Sequence, residues 1–205
     1  MINIVKAHAT IEHWPEVDVL KFLERIGRVC YKSEGKMCET SANTFIKSIM
    51  DRQHESVIEH LSATVRFVCD RGVSHELVRH RLASFTQEST RYCNYTKDGF
   101  NNQITVIEPP GLEPMARMSW LTAMDAAARS YQQMIFFGVK PQIARGVLPN
   151  SLKTEIVVTA NFREWRHIFK QRCAPAAHPQ MREVMVPLLA EFQARAEVIF
   201  GGIEV

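Results

Sequence analysis

Residues 75–92, HELVRHRLASFTQESTRY, hold the chain's densest supply of groups able to do chemistry. Arg79, His80, Arg81 and Arg91 fall close to two small hydroxyls, Ser84 and Ser89, with Gln87 and Glu88 between them. Three adjacent cationic or cationisable side chains repel one another, and a bound anion relieves that repulsion. Arginine suits a phosphate because its planar fork donates two parallel hydrogen bonds. Ser89, Thr90 and the local backbone N–H groups add neutral donors. An Arg-His-Arg triplet alone reads more readily as a solvated basic turn. The wider spacing is specific: Arg-His-Arg, seven residues, then Ser89-Thr90-Arg91-Tyr92.

Further short motifs follow the same order along the chain. Arg28-Val29-Cys30-Tyr31 precedes His54-Glu55-Ser56-Val57-Ile58-Glu59-His60, and downstream come Ala144-Arg145-x-Val147-Leu148-Pro149, Asn161-x-Arg163 and Arg172. Taken together, from about residue 28 to about 185, these segments resemble the flavin-dependent thymidylate synthases. Three positions depart from the family pattern. Glu76 stands where Gln is frequent, Gln87 replaces an acidic residue, and Ala176 falls where many members carry a flavin-stacking His, with His178 two residues later.

The resemblance implies reductive methylation of dUMP to dTMP. FAD carries hydride, 5,10-methylenetetrahydrofolate donates the carbon, NADPH or NADH reduces, and no protein nucleophile takes part. It assigns His54, Ser56, Glu59, His80, Arg81, Asn161, Arg163 and His167 to the flavin. Arg91 and Arg145 go to dUMP, with Ser89, Glu88 and Glu76 nearby. Arg79 and Gln87 serve both ligands. Arg172 lies by the uracil as the catalytic cation, where a fixed charge stabilises negative charge developing on the ring. Arginine keeps its proton, so it acts electrostatically. The resemblance also implies a homotetramer with sites shared between subunits, which suits a chain of 205 residues that must enclose several ligands.

The elements that must position these residues read as α+β, loosely mixed α/β, in one domain over 1–205, with a central, mostly antiparallel sheet, flanking helices and a helical lobe. Residues 2–8 look like a strand. Pro15 fits a first-turn proline ahead of Val19, Leu20, Leu23 and Ile26 at helical spacing. A helix over 42–52 takes Ser41 as its cap. Residues 61–69 alternate as a strand, a helix follows at 73–80, and 103–107 is extended. The Ala- and Met-rich run 114–137 is expected chiefly as a core helix, stopped by Gly138 and Pro141. Residues 151–161 read as a strand with Leu152, Thr154, Ile156 and Val158 on one face. The tail over 180–200 is helical, and Pro187 is expected to kink it or begin a new turn.

Composition narrows the remaining options. The chain is 46% hydrophobic and carries a net charge of only +3, so anion binding must come from local clusters. A nucleic-acid binder built on Arg71, Arg79, Arg81 and Arg91 lacks a helix-turn-helix, RRM or zinc-finger pattern. Eight His and five Cys invite a metal, yet His54 and His60 are six apart, HESVIEH is not HExxH, and no CxxC exists, so no metal site is expected. Cys173, beside Arg172, is the one tempting thiol nucleophile, and it reads better as a small core residue. No signal peptide or membrane-length apolar run is visible, and five unpaired cysteines suit a reduced cytoplasmic protein.

Overall fold

A computed structural model describes residues 2–205, the side chain of Asp98 excepted. It has mixed α+β architecture. A four-stranded antiparallel sheet is ordered β2-β3-β6-β4, from His8–His13 (β2), Ser62–Asp70 (β3), Lys153–Asn161 (β6) and Ala83–Gln87 (β4). A separate parallel pair joins Ile2–Val5 (β1) to Ile104–Ile107 (β5), in register Ile2↔Ile104 to Val5↔Ile107. The chain divides into two compact units. Of the described residues, the first holds 2–8, 67–79 and 86–157, and the second holds 9–66, 80–85 and 158–205.

In the second unit, helices Val19–Tyr31 (α1) and Ser41–Asp51 (α2) pack on each other and α2 on Pro179–Phe200 (α7), while Phe162–Arg172 (α6) and α7 pack around an aromatic core. Trp14, Phe162, Trp165, Phe169, Phe192 and Phe200 meet there with ring centroids 4.9–6.3 Å apart. Such edge-to-face and tilted contacts add to simple area burial. Asn161 caps α6, its side chain accepting from the Glu164 N–H at 2.9 Å. Trp165 anchors the same helix by donating to the Ala63 carbonyl at 3.0 Å. One face of α6 is thereby buried, and the face bearing Arg163, His167 and Lys170 is left exposed.

In the first unit, Arg71–Leu77 (α3), Pro114–Phe136 (α4) and Pro141–Ala144 (α5) accompany β1 and β5. Its core gathers Tyr95, Ile104, Val106, Met124, Ala128, Tyr131, Ala144 and Leu152.

Several expectations change in detail. Helix α1 starts at Val19, capped by Asp18 accepting from the Lys21 N–H at 3.1 Å, so Pro15 lies ahead of it. Thr40, not Ser41, occupies the cap position of α2. The Ser41 hydroxyl instead donates to Glu24 at 3.0 Å, beside the buried Glu24–Arg28 pair at 2.6 Å. Helix α7 runs through Pro187, and its backbone breaks at Ala196 (φ −154°, ψ 65°), after which Phe200 turns onto the aromatic core. Helix α4 is not mainly a core helix, because only the stripe Met124, Ala128 and Tyr131 is buried. Strand β6 keeps its expected face, with Leu152, Thr154, Ile156 and Val158 buried. Among the described residues no helix is long and apolar enough to cross a membrane.

Candidate functional site

The second unit holds a cavity of about 600 Å³ beside α6 and the 3-10 turn Glu55–His60. Glu55, Glu59, Leu82, Asn161, Arg163, Glu164, His167 and Lys170 line it. The Asn161 cap places Arg163 and His167 four residues apart on one helical face. Arg163 donates from Nη1 to Glu59 at 2.6 Å, and its Nε lies 3.7 Å from Glu55. Arg166 donates from Nε to Glu55 at 3.2 Å. Cations and carboxylates therefore alternate along this wall.

Deeper in the same unit, His80 is 5% exposed. Its Nε2 accepts from Arg172 Nε at 3.0 Å, and its Nδ1 faces Glu164 at 3.5 Å. Burial, then the neighbouring Arg172 and His167, push the imidazole down to about 4, so the ring is neutral near pH 7. Burial also raises the Glu164 carboxyl, with His167 working against it. His80, Glu164 and His167 bring ligand atoms within 4.8 Å of one another, a juxtaposition the sequence did not disclose. The Arg172 N–H occupies the His80 Nε2 lone pair, and its charge repels a cation at that atom. Of the other second-unit residues assigned to the flavin, His54 Nδ1 pairs with the Tyr31 hydroxyl at 3.0 Å, while Ser56 and Arg81 are exposed and lie outside the cavity wall.

The first unit holds a cavity of about 560 Å³ lined by Arg71, His75, Thr90, Arg145, Leu148 and Asn150, among others. Arg145 Nη1 donates to the Thr90 hydroxyl at 3.2 Å. Arg71 Nη1 lies 3.5 Å from both the Glu88 carbonyl and the Thr154 hydroxyl. Gln87 Nε2 donates to Ser74 at 2.9 Å and to Thr154 at 3.2 Å, so its amide braces the end of β4, two residues before Ser89. The Ser89 hydroxyl accepts from the Arg91 N–H at 3.3 Å.

The Glu88 carboxylate is committed internally, taking Tyr95 at 3.0 Å and Lys153 at 3.1 Å. Burial, and then Glu88, push the Tyr95 phenol well up. Burial opposes the Lys153 charge, but Glu155 and Glu88 outweigh it and hold the ammonium above its ordinary range. Arg79 and Arg91 are exposed, and Glu76 is half-buried; none of the three lines this cavity.

Arg71, Lys153 and Glu164 were not singled out by the sequence as parts of this site. Arg71 directly follows Asp70, which caps α3 by accepting from the Val73 N–H at 2.9 Å, and that cap signal fixes its place. Asn161-x-x-Glu164 has the form of a capping box, and the structure turns its Glu toward His80 instead.

A family of enzymes that methylate dUMP is the class this fold and these cavities belong to. The family model described as "Thymidylate synthase complementing protein" matches residues 11–197. The flavin-dependent thymidylate synthase of Geobacter sulfurreducens is 35% identical, covering 94% of this chain and 84% of the relative. That of Mycobacterium tuberculosis is 34% identical over 89% of this chain and 79% of its own length. The fold matches a solved structure, the UMP/dUMP methylase PolB from Streptomyces cacaoi bound with 5-Br dUMP. That match has a TM-score of 0.80 and 22% identity, and it covers 97% of this chain and 95% of that one. The chain belongs to the flavin-dependent thymidylate synthase family and is a methyltransferase of that class.

Proposed function

We propose that this chain converts dUMP to dTMP, with FAD as hydride carrier, 5,10-methylenetetrahydrofolate as carbon donor and NADPH or NADH as reductant. It acts as one catalytic domain over 1–205. The observation that carries this reading is that each unit has its own cavity with an arginine on its wall, Arg163 beside carboxylates in one and Arg145 beside a neutral hydroxyl in the other. The reaction needs a phosphorylated substrate and a phosphorylated flavin, and a single mononucleotide would leave one of these cavities without a role.

The donor set fits a flavin dinucleotide in the second unit. Arg163 is half-exposed, and its fork, now on Glu59 and Glu55, matches phosphate geometry as well as carboxylate geometry. Glu59, Asn161 and His167 share that wall, and His54, Ser56 and Arg81, which lie outside it, are assigned to the same ligand. When bound, the flavin supplies the hydride chemistry. Arg145 and Arg91, with Ser89, receive the dUMP phosphate; Arg79 and Gln87 serve both ligands; Glu88 and Glu76 set the surroundings. Arg172 presents its charge to the uracil, holding the negative charge that develops there without moving a proton.

A homotetramer with shared sites is supported by apolar side chains that a lone chain leaves uncovered. Met115, Met118, Phe136 and Phe137 are 76%, 62%, 85% and 77% exposed. Free thiols at all five cysteines support a cytoplasmic setting.

The visible absorption spectrum of the purified protein, before and after dUMP, tests the proposal. A flavin spectrum that shifts with dUMP, followed by dTMP formation on adding the folate and NADPH, is the expected result. A colourless protein that cannot be reconstituted with FAD overturns it.

A further inference from the structure

The family resemblance assigns His80 to the flavin, but its ring is buried and both nitrogens face protein groups. Arg172 Nε donates to Nε2 at 3.0 Å, so Nε2 carries the lone pair. A neutral imidazole then bears its proton on Nδ1, which lies 3.5 Å from Glu164 Oε1. Only this tautomer satisfies both neighbours, because an Nε2–H would oppose the arginine N–H. His167 also lies against the ring, edge-on with centroids 5.8 Å apart. Arg172 ends α6, the helix that also carries Glu164 and His167, while His80 comes from the Arg-His-Arg segment.

We propose that His80 is the positioning residue for Arg172, its ring fixed by Glu164 and in turn fixing the direction in which the guanidinium is presented to the substrate base. This deepens the thymidylate synthase reading and rests on it. A neutral acceptor is the physically apt choice at this atom. A carboxylate in direct contact, such as the one on Arg163 at 2.6 Å, would orient the cation equally well but would offset the charge it must offer. The imidazole orients Nε without itself setting a negative charge against the guanidinium, and Glu164 lies on the far side of the ring. The depressed basicity of His80 keeps this arrangement intact across the neutral range.

The test is a double-mutant cycle on turnover, with bound flavin measured in every variant. His80→Phe keeps the ring volume and removes the acceptor. It is expected to lower kcat about 10- to 100-fold, the size of one lost hydrogen bond to a charged group, with KM for dUMP and flavin content near wild type. In an Arg172→Ala background the same change should cost almost nothing more. His80→Gln, which restores an acceptor at the same reach, should return kcat to within about threefold of wild type. Losses that multiply in the double variant, or flavin lost in proportion to activity, would overturn the proposal, the latter in favour of direct flavin contact.

A readout independent of catalysis is the 15N spectrum of histidine-labelled wild-type protein at pH 7. A neutral ring protonated on Nδ1 is expected; an Nε2–H tautomer or a protonated ring at His80 overturns the arrangement. If wild type bound no flavin while this spectrum held, the thymidylate synthase reading would fail and the Arg172–His80–Glu164 geometry would stand.

Discussion

The arginines beside the two cavities rest on different partners. In the second unit, Arg163 and Arg166 rest on carboxylates, at 2.6 Å to Glu59 and 3.2 Å to Glu55. In the first unit, Arg145 and Arg71 rest on neutral oxygens, the Thr90 and Thr154 hydroxyls and the Glu88 carbonyl. An arginine on a hydroxyl keeps its full charge for an incoming phosphate. An arginine on a carboxylate must exchange one anion for another, and an exposed pair of this kind is worth little by itself. On the proposed reading, the first unit's arginines suit a small, strongly held phosphate, and the second unit's suit a larger ligand whose affinity comes from many modest contacts. Arg172 follows neither rule at Nε, which meets a neutral ring.

The largest expected effect lies at that exception. Arg172→Ala should lower thymidylate formation by about 100-fold or more, the usual cost of removing a preorganised charge, while flavin stays bound. Near-normal turnover would remove Arg172 from the catalytic role. Next, Arg145→Ala should weaken dUMP binding about 10- to 100-fold, as for a lost charge-assisted bond, and leave flavin affinity unchanged. Equal weakening of both ligands, by isothermal titration, would break the division of labour between the units. Arg163→Ala should loosen FAD by a smaller factor, about tenfold or less, because its charge is already shared with Glu59 and Glu55. A loss larger than that of dUMP in Arg145→Ala would reverse the comparison.

The smallest effect concerns pH. His80 is held at about 4 by burial and by Arg172 and His167, against an ordinary value of 6.5. Below about pH 6.5 the unfolded chain binds this proton before the folded one does. The contribution is complete above pH 6.5 and is lost as pH falls toward 4. Denaturant midpoints measured from pH 7 to 4 should fall less steeply for His80→Phe than for wild type, and parallel slopes would contradict the assignment.

Much of the frame is visible in the order of residue types. Strand β6 shows its buried face by alternation alone, because period two is a property of extended backbone. The end of α4 is marked by Gly138, whose φ of +82° lies where side chains are disfavoured. Helix α6 escaped notice because its core aromatics are interspersed with five basic residues, and its face became clear only against the aromatic cluster. Strand β4 was hidden for a related reason: its five residues, ASFTQ, sit inside the motif and read as chemistry before structure.

The sequence by itself determined the family, the two sets of arginines and most element positions, since these depend on residue type and on spacing along one chain. Tertiary structure alone decided what each charge rests on. Glu88 meets Lys153 across 65 positions and Arg172 meets His80 across 92. No local period encodes such pairs; they exist because folding leaves a buried polar group few partners, and each must find one.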